Sequence, residues 1–204
     1  MMNNYSIILN NCGKKFNREW IFRRLNYQFD IGKAYAITGH NGSGKSTLLQ
    51  CIAGNMNFNE GDMQLPVVAE KHFQHLSICT PYLELIEEMT GAEFLAFHSS
   101  FKPLTKHQTM DEILLKVGLS KAANKQISKY SSGMKQRLKL AQAIFSDTPL
   151  LLLDEPCTNL DKEGYSLYQN LIQENCTNKI VIICSNEEAE IHFCNARIHI
   201  NDYK

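Results

Sequence analysis

Apolar positions along this chain fall into short blocks of two kinds. Ala34–Thr38, Leu150–Leu153 and Ile180–Cys184 are apolar at nearly every consecutive position and have the length of strands. A strand that is apolar on both faces suits the middle of a parallel sheet. Elsewhere apolar residues recur every three or four positions, which predicts helices over Thr90–Ser99 and Thr105–Val117. Ser131 is placed to cap a further helix that carries Leu138, Ala141, Ile144 and Phe145 on one face. Tyr5–Leu9, Leu25–Phe29 and Leu76–Cys79 read as additional strands, whereas Asn55–Glu70 is polar, with Gly61 and Pro66 as turn punctuation. The tail predicts a helix over Lys162–Glu174, a strand over Lys179–Cys184, a short acidic helix and a last strand around Arg197–Ile200. Strands alternating with helices mean an α/β sheet, into which the block from about Thr90 to Gly133 is inserted as a helical lobe.

Composition narrows the picture only a little. A chain of 204 residues can bury a proper core as one domain. Lys plus Arg and Asp plus Glu both number 21, so net charge gives no reason to expect a nucleic-acid partner. No apolar run is long enough to span a bilayer. The first residues have neither the basic start nor the apolar stretch of a secretion signal, so the chain reads as staying inside the cell. Its seven cysteines are scattered without a C-x-x-C pair, and they read as reduced, core-filling thiols.

The chemistry is concentrated where one apolar run ends. Gly39, His40, Asn41, Gly42, Ser43, Gly44, Lys45 and Ser46 fit G-x-x-x-x-G-K-[ST] at every fixed position, between the strand-like Ala34–Thr38 and a helix-favouring run that begins at Thr47. That setting makes a phosphate cradle. The glycines let backbone wrap closely around oxygens, and amides from Gly42 to Ser46 lie at the positive end of the following helix. Lys45 adds a cation for β- and γ-phosphates, and the Ser46 hydroxyl is placed for Mg²⁺. The pattern predicts binding of a nucleoside triphosphate with Mg²⁺. Asp154 ends the buried run Leu150–Leu153, where such a site needs an acid for Mg²⁺. Glu155 follows it and can serve as general base for an attacking water.

In order and across essentially the whole chain, these motifs resemble the ATP-binding subunits of ABC transporters. Gly39–Ser46 is similar to the Walker A motif, Leu150–Pro156 to Walker B with its glutamate, and Tyr130–Arg137 to the family signature LSGGQ-x-Q-R. Cys157–Asp161 resembles the D-loop, and Phe16 falls where the family stacks an aromatic ring on adenine, with Trp20 as the alternative platform. The resemblance implies a P-loop NTPase (RecA-like) core of about residues 1–78 and 134–204. That core would have a mostly parallel sheet, antiparallel N-terminal strands and a helical subdomain of about 79–133, all in one domain of 1–204. It also implies a homodimer or heterodimer that sandwiches ATP between the Walker A of one subunit and Ser131, Ser132 and Gly133 of the other. Asp161 would couple the sites, and a separate membrane permease would hold the subunit at the cytoplasmic face.

Three positions depart from the family pattern. Ser77–Glu84 lacks the glutamine that the family places after this strand, with Thr80, Pro81 or Tyr82 nearest its place. Asn186 stands where a histidine contacts the γ-phosphate, and Met134 replaces the signature glutamine. An asparagine can donate to phosphate but carries no proton or charge. The expectation is therefore an ATPase slowed at Asn186, with Glu155 and Lys45 still able to turn over. A nucleotide-gated interaction module of weak turnover is the alternative, and an ABC ATPase outside transport is a third reading. Glu84, Glu87 and Glu88 read either as a partner-facing segment or as a solvated acidic face. Lys135, Arg137 and Lys139 read as contacts to phosphate or acid, or as an exposed basic face.

Overall fold

Side chains that alternate across a strand explain how one apolar run builds two cores. The computed structural model describes residues 5–67, 69–105 and 108–204. Its β1 (Ser6–Phe16) and β2 (Glu19–Asp30) form a hairpin, followed by β3 (Ala34–Thr38), α1 (Lys45–Ile52), β4 (Glu60–Gln64) and β5 (Leu76–Cys79). Then come α2 (Gly91–Phe101), α3 (Met110–Lys116), α4 (Ser132–Ile144), β6 (Leu150–Asp154), α5 (Lys162–Asn175), β7 (Ile180–Cys184), α6 (Glu188–Ile191) and β8 (Ala196–His199). Among the described residues, β2-β1-β4 make a small antiparallel sheet and β5-β6-β7-β3-β8 a parallel one.

Leu150 and Leu152 of β6, with Ile180 and Ile182 of β7, face a core shared with α1 and the antiparallel sheet, including Ile7, Phe22, Phe29 and Leu49. Leu151, Leu153, Val181 and Ile183 face the opposite core, built from α2–α5 through Leu95, Ile113, Ile144 and Tyr168. Every residue of β6 and β7 is buried, so their continuous apolar runs follow from a sheet covered on both sides.

The boundaries differ from the sequence expectation in instructive places. The hairpin extends well beyond Tyr5–Leu9 and Leu25–Phe29, because register shifts break the alternation in its distal half, where buried Cys12 and Phe22 stand among charged residues such as Lys14, Lys15 and Arg23. Asn17, at φ 54°, makes the turn, and register shifts within β1 absorb irregular residues such as Asn11 at φ 50°. Polar β4 was not foreseen, since it joins β1 through backbone bonds and packs little besides Met63. The helix expected over Thr105–Val117 begins only at Met110, because Thr109 and Glu112 form a capping box there; residues 106 and 107 lie outside the described residues. Lys179 precedes β7 instead of joining it. Its buried ammonium donates to the carbonyls of Ile144 (2.7 Å) and Ser146 (2.6 Å), satisfying the end of α4.

Replacing Leu152 with Ala should remove about 2–5 kcal/mol of stability, because a side chain between two layers leaves a cavity that cannot collapse fully. Leu115, 68 % exposed on α3, provides the contrast, and Leu115→Ala should change stability by less than about 0.5 kcal/mol. Urea unfolding of the two variants beside the wild type checks both expectations.

Candidate functional site

Because β6, β7 and β3 are parallel neighbours, their carboxyl ends lie in one row: Asp154 pairs with Cys184, and Cys184 with Ile37. Ligands of open α/β sheets bind at such an edge. The chain leaves β3 through Gly39, β6 through Glu155 and β7 through Ser185 and Asn186, so three loops converge.

The loop after β3 keeps its tight path because of its glycines. Gly44, at φ 109°, ends the loop and begins α1, and a β-carbon there would come within 2.2 Å of Ile21. Lys45 is only 6 % exposed, and its ammonium donates to the carbonyls of Gly39 (2.7 Å) and His40 (3.3 Å). The Ser43 hydroxyl is buried and has no hydrogen-bond partner among the described residues. Asp154 lies beside Ser46 and is nearly buried; burial raises its pKa, and the Ser46 hydroxyl and Lys45 hold it back. A cation with only carbonyl partners, an orphan hydroxyl and a hydroxyl–carboxylate pair at a helix start fit a phosphate chain with a divalent ion.

Phe16, Asn41, Gly42, Ser43, Gly44, Lys45, Ser46, Thr47 and Glu155 line one cavity of about 490 Å³, together with Ile21 and Tyr82. Glu155 reaches it through a left-handed backbone at φ 45°, which breaks the strand alternation that would point it away from Asp154. Phe16 is 45 % exposed at this cavity, whereas Trp20 lies elsewhere, between the Lys15 ammonium at 5.1 Å and the Arg23 guanidinium at 4.5 Å. His40 is exposed and does not line the cavity.

Ser131, Ser132, Gly133 and Asp161 do not meet these residues. They line a second cavity of about 390 Å³ with Met134, Arg137, Asn159 and Leu160. Ser131 caps α4 by accepting from the Met134 amide at 3.2 Å. Asp161 caps α5 through the Gly164 amide at 2.8 Å and reaches Arg137 at 3.5 Å. Lys135 pairs with Glu87, and Lys139 donates to the Pro81 carbonyl at 2.9 Å, so these two bases tie α4 to the segment after β5.

Asn186 does not project freely into the cavity. Its Oδ1 accepts from the Gly39 amide at 3.0 Å, and its Nδ2 donates to the Gly39 carbonyl at 2.7 Å. Two residues that sequence reasoning missed join the loops from behind. Gln136 donates to the Pro156 carbonyl at 2.7 Å, linking α4 to the exit of β6. Glu190 is 2 % exposed, with its pKa raised by burial, and it accepts from the Cys157 amide at 2.9 Å. Its other oxygen has no partner among the described residues. A carboxylate in a four-residue acidic helix reads as solvated, and no pattern marks the one that turns inward.

Comparison with known proteins agrees with this geometry. Residues 22–158 match the ABC transporter family. An uncharacterized ABC transporter ATP-binding protein, YybJ of Bacillus subtilis, is 29 % identical over 94 % of this chain and 90 % of its own length. The cytochrome c biogenesis ATP-binding export protein CcmA of Xylella fastidiosa is 32 % identical over 72 % of this chain and 68 % of its own. The chain spans about half the length of two other Bacillus subtilis ABC transporter ATP-binding proteins that it matches. A solved structure, a putative ABC transporter ATP-binding protein from Pyrococcus furiosus, superposes with a TM-score of 0.85 at 21 % identity, covering 98 % of this chain and 99 % of that one. With the family matched over most of its length and the fold shared, the chain belongs to the ABC transporter family of ATP-binding proteins.

Proposed function

We propose that this chain is an ATP-hydrolysing subunit that powers a membrane transporter, working as a head-to-tail dimer with ATP at the interface. The supporting observation is the separation of the two cavities: the glycine-loop cavity and the cavity at the tip of α4 share no residue. A nucleotide held by Lys45 and Ser46 would meet no Ser131–Gly133 of its own chain, so a second subunit would complete each site. The tip of α4, with Ser131 as cap, supplies free amides and a dipole for the γ-phosphate of the partner's nucleotide. In this reading residues 79–133 form the helical subdomain and 1–78 with 134–204 the core. Phe16 would stack on the base and Asn41–Thr47 would wrap the phosphates.

Ser46 and Asp154 would hold Mg²⁺, which neutralises charge on the β- and γ-phosphates when bound. Lys45 would leave the Gly39 and His40 carbonyls for phosphate oxygens, and Glu155 would accept the proton of the attacking water. Turnover is expected to be slow. Asn186 stands at the exit of β7 where the family has a histidine, and its amide is bonded to Gly39. Absence of one preorganised donor to the transferring group lowers a rate by about two to three orders of magnitude. The same observation favours the second reading, a nucleotide-gated module of weak turnover; ATP affinity compared with steady-state hydrolysis separates the two.

Among the described residues no helix is long and apolar enough to cross a membrane, so membrane attachment would come through a separate permease, with this subunit at its cytoplasmic face. That one relative is named an export protein favours export.

Glu155→Gln should abolish hydrolysis and leave a stable dimer in MgATP, read by light scattering; unaltered hydrolysis contradicts the base assignment. Ser132→Arg should prevent that dimer while the monomer still binds ATP, whereas Lys45→Ala should lower ATP affinity by an order of magnitude or more. Equilibrium titration with a fluorescent ATP analogue measures both.

A further inference from the structure

We infer that Asn186 is a positioning residue that latches the first glycine of the phosphate loop to the end of β7, and does not read the terminal phosphate. The inference rests on the ATP-binding reading above. The ladder between β3 and β7 runs from Ala34↔Val181 to Ile37↔Cys184, and the Ser185 amide donates to the Ile37 carbonyl at 3.2 Å. Beyond that point the Asn186 side chain takes over. Its carbonyl oxygen accepts from the Gly39 amide and its nitrogen donates to the Gly39 carbonyl, at 3.0 and 2.7 Å. One side-chain amide thus adds a last rung to the ladder and uses both backbone groups of a single residue.

Gly39 has little freedom to take another position. Its φ is 147°, and a β-carbon there would lie 2.6 Å from Ile200 and 2.7 Å from the Ser43 hydroxyl. Its carbonyl is also the nearer acceptor of the Lys45 ammonium, at 2.7 Å. Lys45 spends two of its three donors on carbonyls, so turning it toward a phosphate chain strains or breaks the bond to Gly39, and a buried carbonyl without a donor is unfavourable. Asn186 Nδ2 keeps the Gly39 carbonyl paired while Lys45 departs. Its function is to make the lysine available at low cost and to hold the loop in its nucleotide-ready path. A neutral imidazole also has one donor and one acceptor, but on opposite edges of its ring, so it cannot serve both groups of Gly39 at once.

A latch on the loop acts on every nucleotide that the loop holds, whereas a γ-phosphate contact acts on triphosphate alone. The test titrates the wild type, Asn186→Ala, Asn186→Asp and Asn186→His with MgADP and with a non-hydrolysable ATP analogue. The latch predicts that Asn186→Ala weakens both nucleotides by about tenfold, the equivalent of one net hydrogen bond, and by the same factor within about twofold. Asn186→Asp, which keeps the acceptor but loses the donor, should weaken both at least as much. Asn186→His, whose ring cannot serve both groups of Gly39, should weaken both nucleotides as Asn186→Ala does. Loss of affinity for the triphosphate analogue alone, unchanged affinity for both nucleotides, or wild-type affinity in Asn186→His would each overturn the latch. A wild-type protein that binds neither nucleotide would instead overturn the ATP-binding reading itself, before any variant is compared.

Discussion

The parallel hydrogen-bond ladder through β6, β7 and β3 is the constraint on which the other features depend. Because Asp154, Cys184 and Ile37 stand in register, three loops begin at the same edge and need no long-range adjustment to meet. Burial on both faces locks that register, since a slip by one residue would exchange the side chains of two different cores. The buried Cys184 thiol adds a bond to the Lys45 carbonyl at 3.4 Å, joining the start of α1 to the same strand end. The polar groups of the site thus sit on the most rigid part of the molecule.

The two cavities are distinct, yet buried polar contacts connect their walls. Gln136 lies one turn along α4 from Ser132 and bonds to Pro156, directly after Glu155. Glu190, on α6 shortly after β7, accepts from the Cys157 amide, two residues beyond Glu155. The tip of α4, the exit of β6 and α6 beyond β7 are therefore linked through two side chains, each nearly inaccessible to solvent. Buried polar networks of this kind fix relative positions strongly, because leaving either partner unpaired is costly. Tyr82, 90 % exposed, stands at the border between the glycine-loop cavity and the neighbouring groove lined by Pro81, Leu85 and Lys139.

What could be read from the sequence follows a physical division. The parallel strands were legible because burial on both faces demands apolar residues at every position, and the helix starts at Thr90 and Ser131 because capping chemistry is local. The glycine loop was legible for the same reason: its spacing records a backbone path as much as a ligand. Strand β4 and the outer hairpin were not legible, since backbone bonds to a neighbouring strand leave no mark on polar side chains. Contacts such as Asn186 with Gly39, 147 positions apart, arise from topology, and sequence marked Asn186 only through the family resemblance, as the residue standing where a histidine is expected. The positive φ of Glu155 was likewise invisible, because nothing in a Glu before Pro announces a left-handed turn.

The head-to-tail arrangement is tested most directly by mixing two defective chains. One carries Lys45→Ala and lacks a working glycine loop; the other carries Ser132→Arg and lacks a working helix tip. If each site is built from two subunits, the mixture contains one intact composite site per heterodimer, and it should hydrolyse ATP faster than either chain alone. Hydrolysis by the mixture no greater than the average of the separate chains would contradict the account.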